Sequence, residues 1–483
     1  MAKNILIFSD GTGQAGGLRP DQRLTNIYKL YRATRTGPDS PIDPAKQIAF
    51  YDPGLGSGEQ SGPFLSHPVT SIRKLLSSGF GTGFTRNVAD CYEAILRFYE
   101  PGDRIYLFGF SRGAYTVRSV GGVMNLCGVP IKDADGNPIP RHGKALRAIA
   151  DEAVHTVYEH GAGHPREKFE DEREEQARRF RIKYNTEDDP LKNQRGNVVP
   201  YFIGVFDTVA ALGSTGIKKA GIIALAVLGV LAGSALAGLL LSFLFGLPFL
   251  ISAIFALVVF AVIIAIYSYN ARVKVIRDFP EKGMVRRHWS AWRFKHYDRF
   301  LDRRVRYARH AQAIDERRAS FARVGWGRKA DMEEAPDDWL VQVWFAGNHS
   351  DIGGSYPETE SRLSDIALQW MVEQATQIPD PVIIDTSKLN LFPDPAGMQH
   401  CEICSVLDLY PAWFPARWRR SWNEKARSGV SLAICHPTVL QRIELPAIRK
   451  LDVTQPYRPE PLRTDPDFRK YYDNVSAVGP ASV

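Results

Sequence analysis

Cysteine is scarce in this chain: five residues in 483, at Cys91, Cys127, Cys401, Cys404 and Cys435. An odd, scattered set builds no disulfide framework and suits a reducing compartment. Cys401 and Cys404 form one C-x-x-C without a second pair, so a zinc or redox reading is weak and two buried thiols are expected. A secretory leader is also lacking. Met1-Ala2-Lys3-Asn4 runs directly into Ile5-Leu6-Ile7-Phe8, too short for a signal's apolar core. That run reads as a first strand ending in the polar, glycine-rich turn Ser9-Asp10-Gly11-Thr12-Gly13. The longest absence is of charge: Gly221 to Asn270 contain no Asp, Glu, Lys or Arg.

One spanning helix needs about twenty apolar residues. The uncharged stretch holds two, near Gly221–Phe245 and Phe249–Tyr267, joined by Gly246-Leu247-Pro248. A helical hairpin buried in a soluble core would keep a polar stripe, and none is present. Residues 221–268 therefore read as a membrane anchor. Lys218 and Lys219 precede it; Arg272, Lys274 and Arg277 follow. Positive flanks on both sides put both ends in the cytoplasm. The short uncharged tip also allows a re-entrant hairpin. Gly229, Gly233 and Ala237 recur at every fourth residue and leave a smooth face, for the second span or for another copy of the chain.

The formal net charge is +8, but the excess is local. Between Ala271 and Ala330, Lys and Arg exceed acids by roughly a dozen. Arg286-Arg287-His288-Trp289, Trp292-Arg293-Phe294-Lys295 and Arg303-Arg304-Val305-Arg306 interleave basic and aromatic residues. Beside a membrane span, anionic head groups are the simplest partner. A solvated charged helix ranks second and nucleic acid last.

The chemistry centres on Gly109-Phe110-Ser111-Arg112-Gly113. It follows the strand-like Arg104–Phe108 and precedes the helix-like Ala114–Val120. Strand, G-x-S-x-G, helix is the setting of a nucleophile elbow, a turn so tight that glycine is needed beside the serine. A serine nucleophile needs a base and an acid to orient it. Val198–Phe206 reads as the next strand and ends at Asp207. Trp339–Ala346 reads as another and runs into Gly347-Asn348-His349. Ser111, Asp207, His349 is the chain order of α/β-hydrolases. His436 is the rival base, outside any strand-end loop. Asp351 is a second acid, able to orient His349 or to serve a turn. The backbone amide of Arg112 is one oxyanion donor; the turn holding Asp10, Gly11 and Thr12 supplies the other. Arg112 and Arg118 are a weak phosphate site. This chemistry needs no cofactor and no metal.

Several stretches together resemble one family. They are Phe8-Ser9-Asp10-Gly11-Thr12, Thr25-Asn26-Ile27-Tyr28, Tyr51-Asp52-Pro53-Gly54 and Tyr99–Asp103 leading into Phe108–Tyr115. Gly204–Val209, Phe345–Gly354 and Leu363–Met371 continue the series. They resemble the α/β-hydrolases related to the phospholipase effectors of bacterial type VI secretion. The resemblance implies that Ser111, Asp207 and His349 are the catalytic serine, aspartate and histidine, and that phospholipid esters are the substrate. The hairpin departs from the family pattern, and a self-anchored enzyme fits it better than a freely secreted effector.

The expected architecture is an α/β-hydrolase-like, mostly parallel sheet flanked by helices. It is divided into core (1–215), transmembrane hairpin (216–270), basic juxtamembrane helical segment (271–336) and core again (337–483). The expected function is a membrane-anchored serine esterase acting on lipid esters, on the cytoplasmic face of a bacterial inner membrane. A tethered thioesterase or general carboxylesterase is the alternative within enzymes. A membrane scaffold or pore with a sensory or inactive hydrolase domain is the alternative outside them.

Overall fold

The computed structural model describes residues 2–11, 23–54, 82–188, 195–209, 216–291, 299–327, 332–333, 335–403, 423–431 and 434–473. Six strands form one wholly parallel sheet: β1 (Asn4–Ser9), β2 (Gln47–Asp52), β3 (Arg104–Phe110), β4 (Phe202–Phe206), β7 (Tyr307–Ala313) and β8 (Leu340–Phe345). Two further strands, β5 (Val273–Arg277) and β6 (Val285–Trp289), pair with each other as an antiparallel hairpin. The order across the main sheet is β8-β7-β4-β3-β1-β2. From β1 the chain steps outward to β2, then returns to the other side of β1 and continues outward. The reversal lies between β1 and β3, and ligands of such sheets bind at the carboxyl ends beside that point.

The strands are buried on both faces, as a helix-covered parallel sheet requires. Alternate residues serve opposite layers. Ile5, Ile7, Ile105, Leu107, Ile203 and Val205 pack under α2 (Thr82–Phe98) and α3 (Arg112–Cys127). Leu6, Phe8, Tyr106, Phe108, Phe202 and Phe206 pack on the other side, against the helices Asn26–Thr34 and Arg362–Thr376. On that face Phe8 stacks on Phe108, with ring centroids 5.1 Å apart.

The segment after the apolar hairpin corrects one expectation. Among the described residues of 271–336, the regular structure is mainly three strands, β5, β6 and β7, and no long helix is present. Strand β7 lies between β4 and β8, so the catalytic sheet resumes at Tyr307 and not at 337. Its sequence, Tyr-Ala-Arg-His-Ala-Gln-Ala, disguises a strand that is buried throughout. The polar side chains find internal partners. Arg309 donates to Gln374 and to the Asp338 carbonyl, and His310 accepts from the Thr208 amide. Cys401 also differs from the expected thiol: it is disulfide-bonded. Cys404 lies outside the described residues.

The two apolar helices, Gly216–Phe245 and Phe249–Arg272, form an antiparallel pair that leaves the body of the protein. Only 11% of the most apolar window of each is buried, so they do not form the core of this chain. Phe243, Leu236 and Tyr267 are among many large apolar side chains left exposed. The helices come into close contact at Gly238, where a Cβ would stand 2.6 Å from the Ala253 Cα. That is beside the predicted small-residue line. Gly229 has nothing within 4 Å of a Cβ position, and Gly233 has only the Phe260 ring at 3.8 Å.

Local opening energies rise from exposed hairpins to buried central strands. Amides of β7 should therefore exchange with deuterium far more slowly than those of β6, read by peptide-level mass spectrometry. Equal rates would contradict the placement of β7 inside the sheet.

Candidate active site

Ser111 directly follows β3 and begins α3. Its backbone lies at φ 59°, ψ −121°, outside the common regions for an L-residue. Such a conformation costs about 1–3 kcal/mol and persists only where its surroundings enforce it. Here they do: the Ser111 amide donates to the Phe206 carbonyl at 3.1 Å, and its carbonyl accepts from Val209 at 3.4 Å. The two glycines of the motif are steric necessities. A Cβ on Gly109 would lie 2.5 Å from the Gly113 carbonyl oxygen, and one on Gly113 would lie 2.0 Å from that of Ser9. The elbow is thus pressed onto the end of β1.

Asp207 follows β4 and is also at positive φ, 32°. It is completely buried. One carboxylate oxygen accepts from the Ala313 amide at 3.2 Å. The other accepts from Arg427 Nη2 at 2.8 Å and lies 2.6 Å from His349 Nδ1. Burial pushes this carboxyl up. The Arg427 charge and the His349 hydrogen bond outweigh burial and hold it well below the usual carboxylate range. It is an anion at neutral pH.

His349 opens the short helix His349–Gly353 at the end of β8. Asn348 caps that helix by accepting from the Ser350 and Asp351 amides, and Asp351 accepts from the Asn348 amide in return. This capping box fixes where the imidazole starts. The ring stacks on Phe110 at 4.6 Å and meets Phe321 edge-on at 5.0 Å. Its second nitrogen, Nε2, is buried and has no hydrogen-bond partner among the described residues. A polar atom left this way costs stability unless something else engages it. Phe110, against which the ring lies, immediately precedes Ser111.

The other sequence-named residues fall in definite places. Asp351 does not orient His349; it pairs with His400 Nδ1 at 2.7 Å and serves the turn. His436 caps the helix Pro437–Glu444, with Nδ1 2.8 Å from the Thr438 hydroxyl, and stacks on Phe345. Arg118 donates to the Val324 and Gly325 carbonyls and lies over Trp326, which makes it structural. Arg112 is mostly buried, and burial pushes its guanidinium down to about 10. Gly11 lies beside the serine: a Cβ there would stand 3.4 Å from Ser111 Cβ. Its amide donates to its neighbour Asp10 at 2.7 Å. Asp10 also accepts from Thr25 and Tyr51, and burial pushes its carboxyl up to about 6. Thr12 lies outside the described residues.

Three residues of the site had no signal in the sequence. Arg427 comes from a polar stretch far along the chain and carries no motif. Glu316 accepts from the His349 amide at 3.3 Å and from Arg318 through both oxygens. Arg318 in turn covers Phe321, the ring edge-on to His349.

Comparison with known proteins finds a family and several similar chains. The family described as "T6SS, Phospholipase effector Tle1-like, catalytic domain" matches residues 3–226 and 272–374. The gap between those stretches falls on the apolar hairpin. An uncharacterized protein of Saccharomyces cerevisiae is 36% identical over 130 residues, which are 26% of this chain and 18% of that protein. Among solved structures, an uncharacterized protein from Pseudomonas aeruginosa is 16% identical, with a TM-score of 0.34, over 81% of this chain and 48% of that one. The Tle1 effector, solved bound to the VgrG spike of the type 6 secretion system, is 16% identical, with a TM-score of 0.28, over 75% of this chain and 53% of that one. The chain thus spans little more than half, or less, of each of these relatives.

Asp207 titrates lower in the fold than the roughly 3.9 of an unfolded chain. Its contribution to stability is complete above about pH 4 and is lost as pH falls through the lower folded value. Arg427→Met removes the cation and leaves the burial. Neutral-pH stability should fall by about 3 kcal/mol, the scale of breaking a buried pair. The difference from wild type should shrink below about pH 4. Urea denaturation at several pH values reads this, and an unchanged neutral-pH midpoint would refute it.

Proposed function

We propose that this chain, which belongs to the Tle1-like catalytic-domain family of type VI secretion phospholipase effectors, is a lipolytic hydrolase whose catalytic triad is Ser111, His349 and Asp207. The observation that carries this reading is His349. Its Nδ1 is held by an anionic Asp207, its Nε2 is buried without a partner among the described residues, and its ring stacks on Phe110, the residue before the strained Ser111.

In this mechanism His349 Nε2 takes the Ser111 proton as Oγ attacks the ester carbonyl of a lipid. Asp207 stabilises the imidazolium that forms. The oxyanion of the tetrahedral intermediate is met by the Arg112 amide at the start of α3; the Gly11 amide is engaged by Asp10, and Thr12 lies outside the described residues. The imidazolium returns its proton to the departing alcohol. Water, deprotonated by His349, then attacks the acyl-serine; the serine oxygen recovers the proton and the fatty acid leaves.

The same proposal assigns residues 221–268 to a membrane. Support comes from two long apolar helices left almost wholly exposed by the fold. The cations at both ends, Lys218, Lys219, Arg272 and Arg277, favour a cytoplasmic catalytic domain. Arg286 and Arg287 on β6, beside the helix end, favour anionic head groups. Anchored this way, the enzyme meets its lipid substrate at the surface that holds it.

Ser111→Ala should leave folding and membrane association intact and lower hydrolysis of phospholipid by on the order of a million-fold, as for loss of a serine nucleophile elsewhere. Lipid mass spectrometry of wild type and variant incubated with mixed membrane lipids measures this, and undiminished hydrolysis would sink the assignment. Replacing residues 221–270 by a short Gly-Ser linker should move the protein from the membrane fraction to the supernatant while Ser111 still reacts with a fluorophosphonate. Persistent sedimentation with membranes would argue against the anchor.

A further inference from the structure

A second constellation stands apart from the serine. His160 lies in the turn Tyr158–Gly161, Glu172 in the first turn of the helix Glu170–Tyr184, and His288 on β6. His160 Nε2 is 2.9 Å from Glu172 Oε2, and His288 Nδ1 is 3.5 Å from the same oxygen. One ligand atom from each of the three lies within 4.8 Å of the others. Metal–ligand bonds of about 2.0–2.2 Å place neighbouring ligands of a tetrahedral site roughly 3.4 Å apart. The two spacings at Glu172 bracket that value.

For a neutral ring, the tautomer of His288 follows from its carbonyl partner. Its Nε2 lies 2.5 Å from the His160 backbone carbonyl. A carbonyl only accepts, so Nε2 carries the proton and Nδ1 presents its lone pair toward Glu172. An imidazole whose far nitrogen donates to a carbonyl is the usual outer support of a metal ligand. Phe169 stacks on the His288 ring at 3.7 Å, and His160 is 1% exposed. Nearby cations complete the picture. Arg286 reaches the other Glu172 oxygen at 3.4 Å, and Lys274 pairs with Glu159. Arg286 thus aligns the carboxylate and leaves Oε2 to the histidines.

We propose that His160, Glu172 and His288 bind a divalent cation, zinc being the best match to two imidazoles and one carboxylate, with a fourth position left to water. The ligands come from both sides of a junction. His160 and Glu172 belong to the catalytic body. His288 belongs to the β5–β6 hairpin into which the second apolar helix runs. The cation would pin that hairpin, and with it the foot of the apolar helices, to the enzyme.

The test uses the full chain in detergent, stripped with a chelator and dialysed against zinc. Elemental analysis should find about one zinc retained per chain, with a raised thermal midpoint. Cobalt(II) should give the intense visible bands of a tetrahedral site, a readout that needs no variant. His160→Ala with His288→Ala, and separately Glu172→Gln, should weaken zinc binding by more than about 100-fold, because loss of outer supports alone weakens such sites about 10–100-fold. Wild type that retains no zinc and shows no tetrahedral cobalt spectrum overturns the proposal. So does equal zinc retention by variants with unchanged circular dichroism; in that case the three side chains are a hydrogen-bonded cluster only.

Discussion

The buried charge of Asp207 is the constraint on which this architecture turns. A carboxylate with no exposed surface is tolerated only when hydrogen bonds and opposite charge surround it. The fold draws those partners from distant parts of the chain: the Ala313 amide at the end of β7, His349 after β8, and Arg427 in the C-terminal part of the chain. Satisfying one side chain therefore locks together three strands and the C-terminal segment. The serine is held by a different force, the steric pressure that sets Gly113 against the Ser9 carbonyl and keeps Ser111 at positive φ. Electrostatics orient the His349 imidazole and close packing shapes the turn at Ser111. Both act at the carboxyl ends of neighbouring parallel strands.

The apolar insertion leaves this core undisturbed because of where it interrupts the sheet. It departs after β4 and returns through β5 and β6 before β7 pairs directly with β4. An antiparallel helix pair brings its two ends back together, so the sheet feels the insertion only as a long crossover. The family match stops and resumes at the same place. A catalytic body common to the family thus carries an appendage whose exposed surface is apolar along its length. Soluble proteins seldom leave so large an apolar surface uncovered.

Much of the arrangement around Ser111 is legible in the sequence. The strand–turn–helix setting of Ser111 and the strand ends at Asp207 and His349 follow from short apolar runs broken by glycine and polar residues. The membrane-length helices follow from an uninterrupted lack of charge. Strand β7 was not legible. Arg309, His310 and Gln312 break the apolar pattern, and the local excess of arginine reads as a solvated helix. Each of those polar groups is admitted to the interior by a specific partner, such as Gln374 for Arg309, and such partners are invisible to periodicity. Asp351 was ambiguous for the same reason: its allegiance to His400 over His349 depends on a residue forty-nine positions away.

By itself the sequence determined the strands that end at Ser111, Asp207 and His349, the strand–turn–helix form of the elbow and the presence of two long apolar helices. These are local properties, set by spacing, by glycine and by the presence or absence of charge within a few turns of chain. Only the tertiary structure decided that Arg427 shares Asp207 with His349, that Gly238 and not Gly229 is the close contact between the apolar helices, and that His160, Glu172 and His288 converge. Those outcomes depend on which distant side chains arrive at one point, and the energy of a buried contact exists only once both partners have left water.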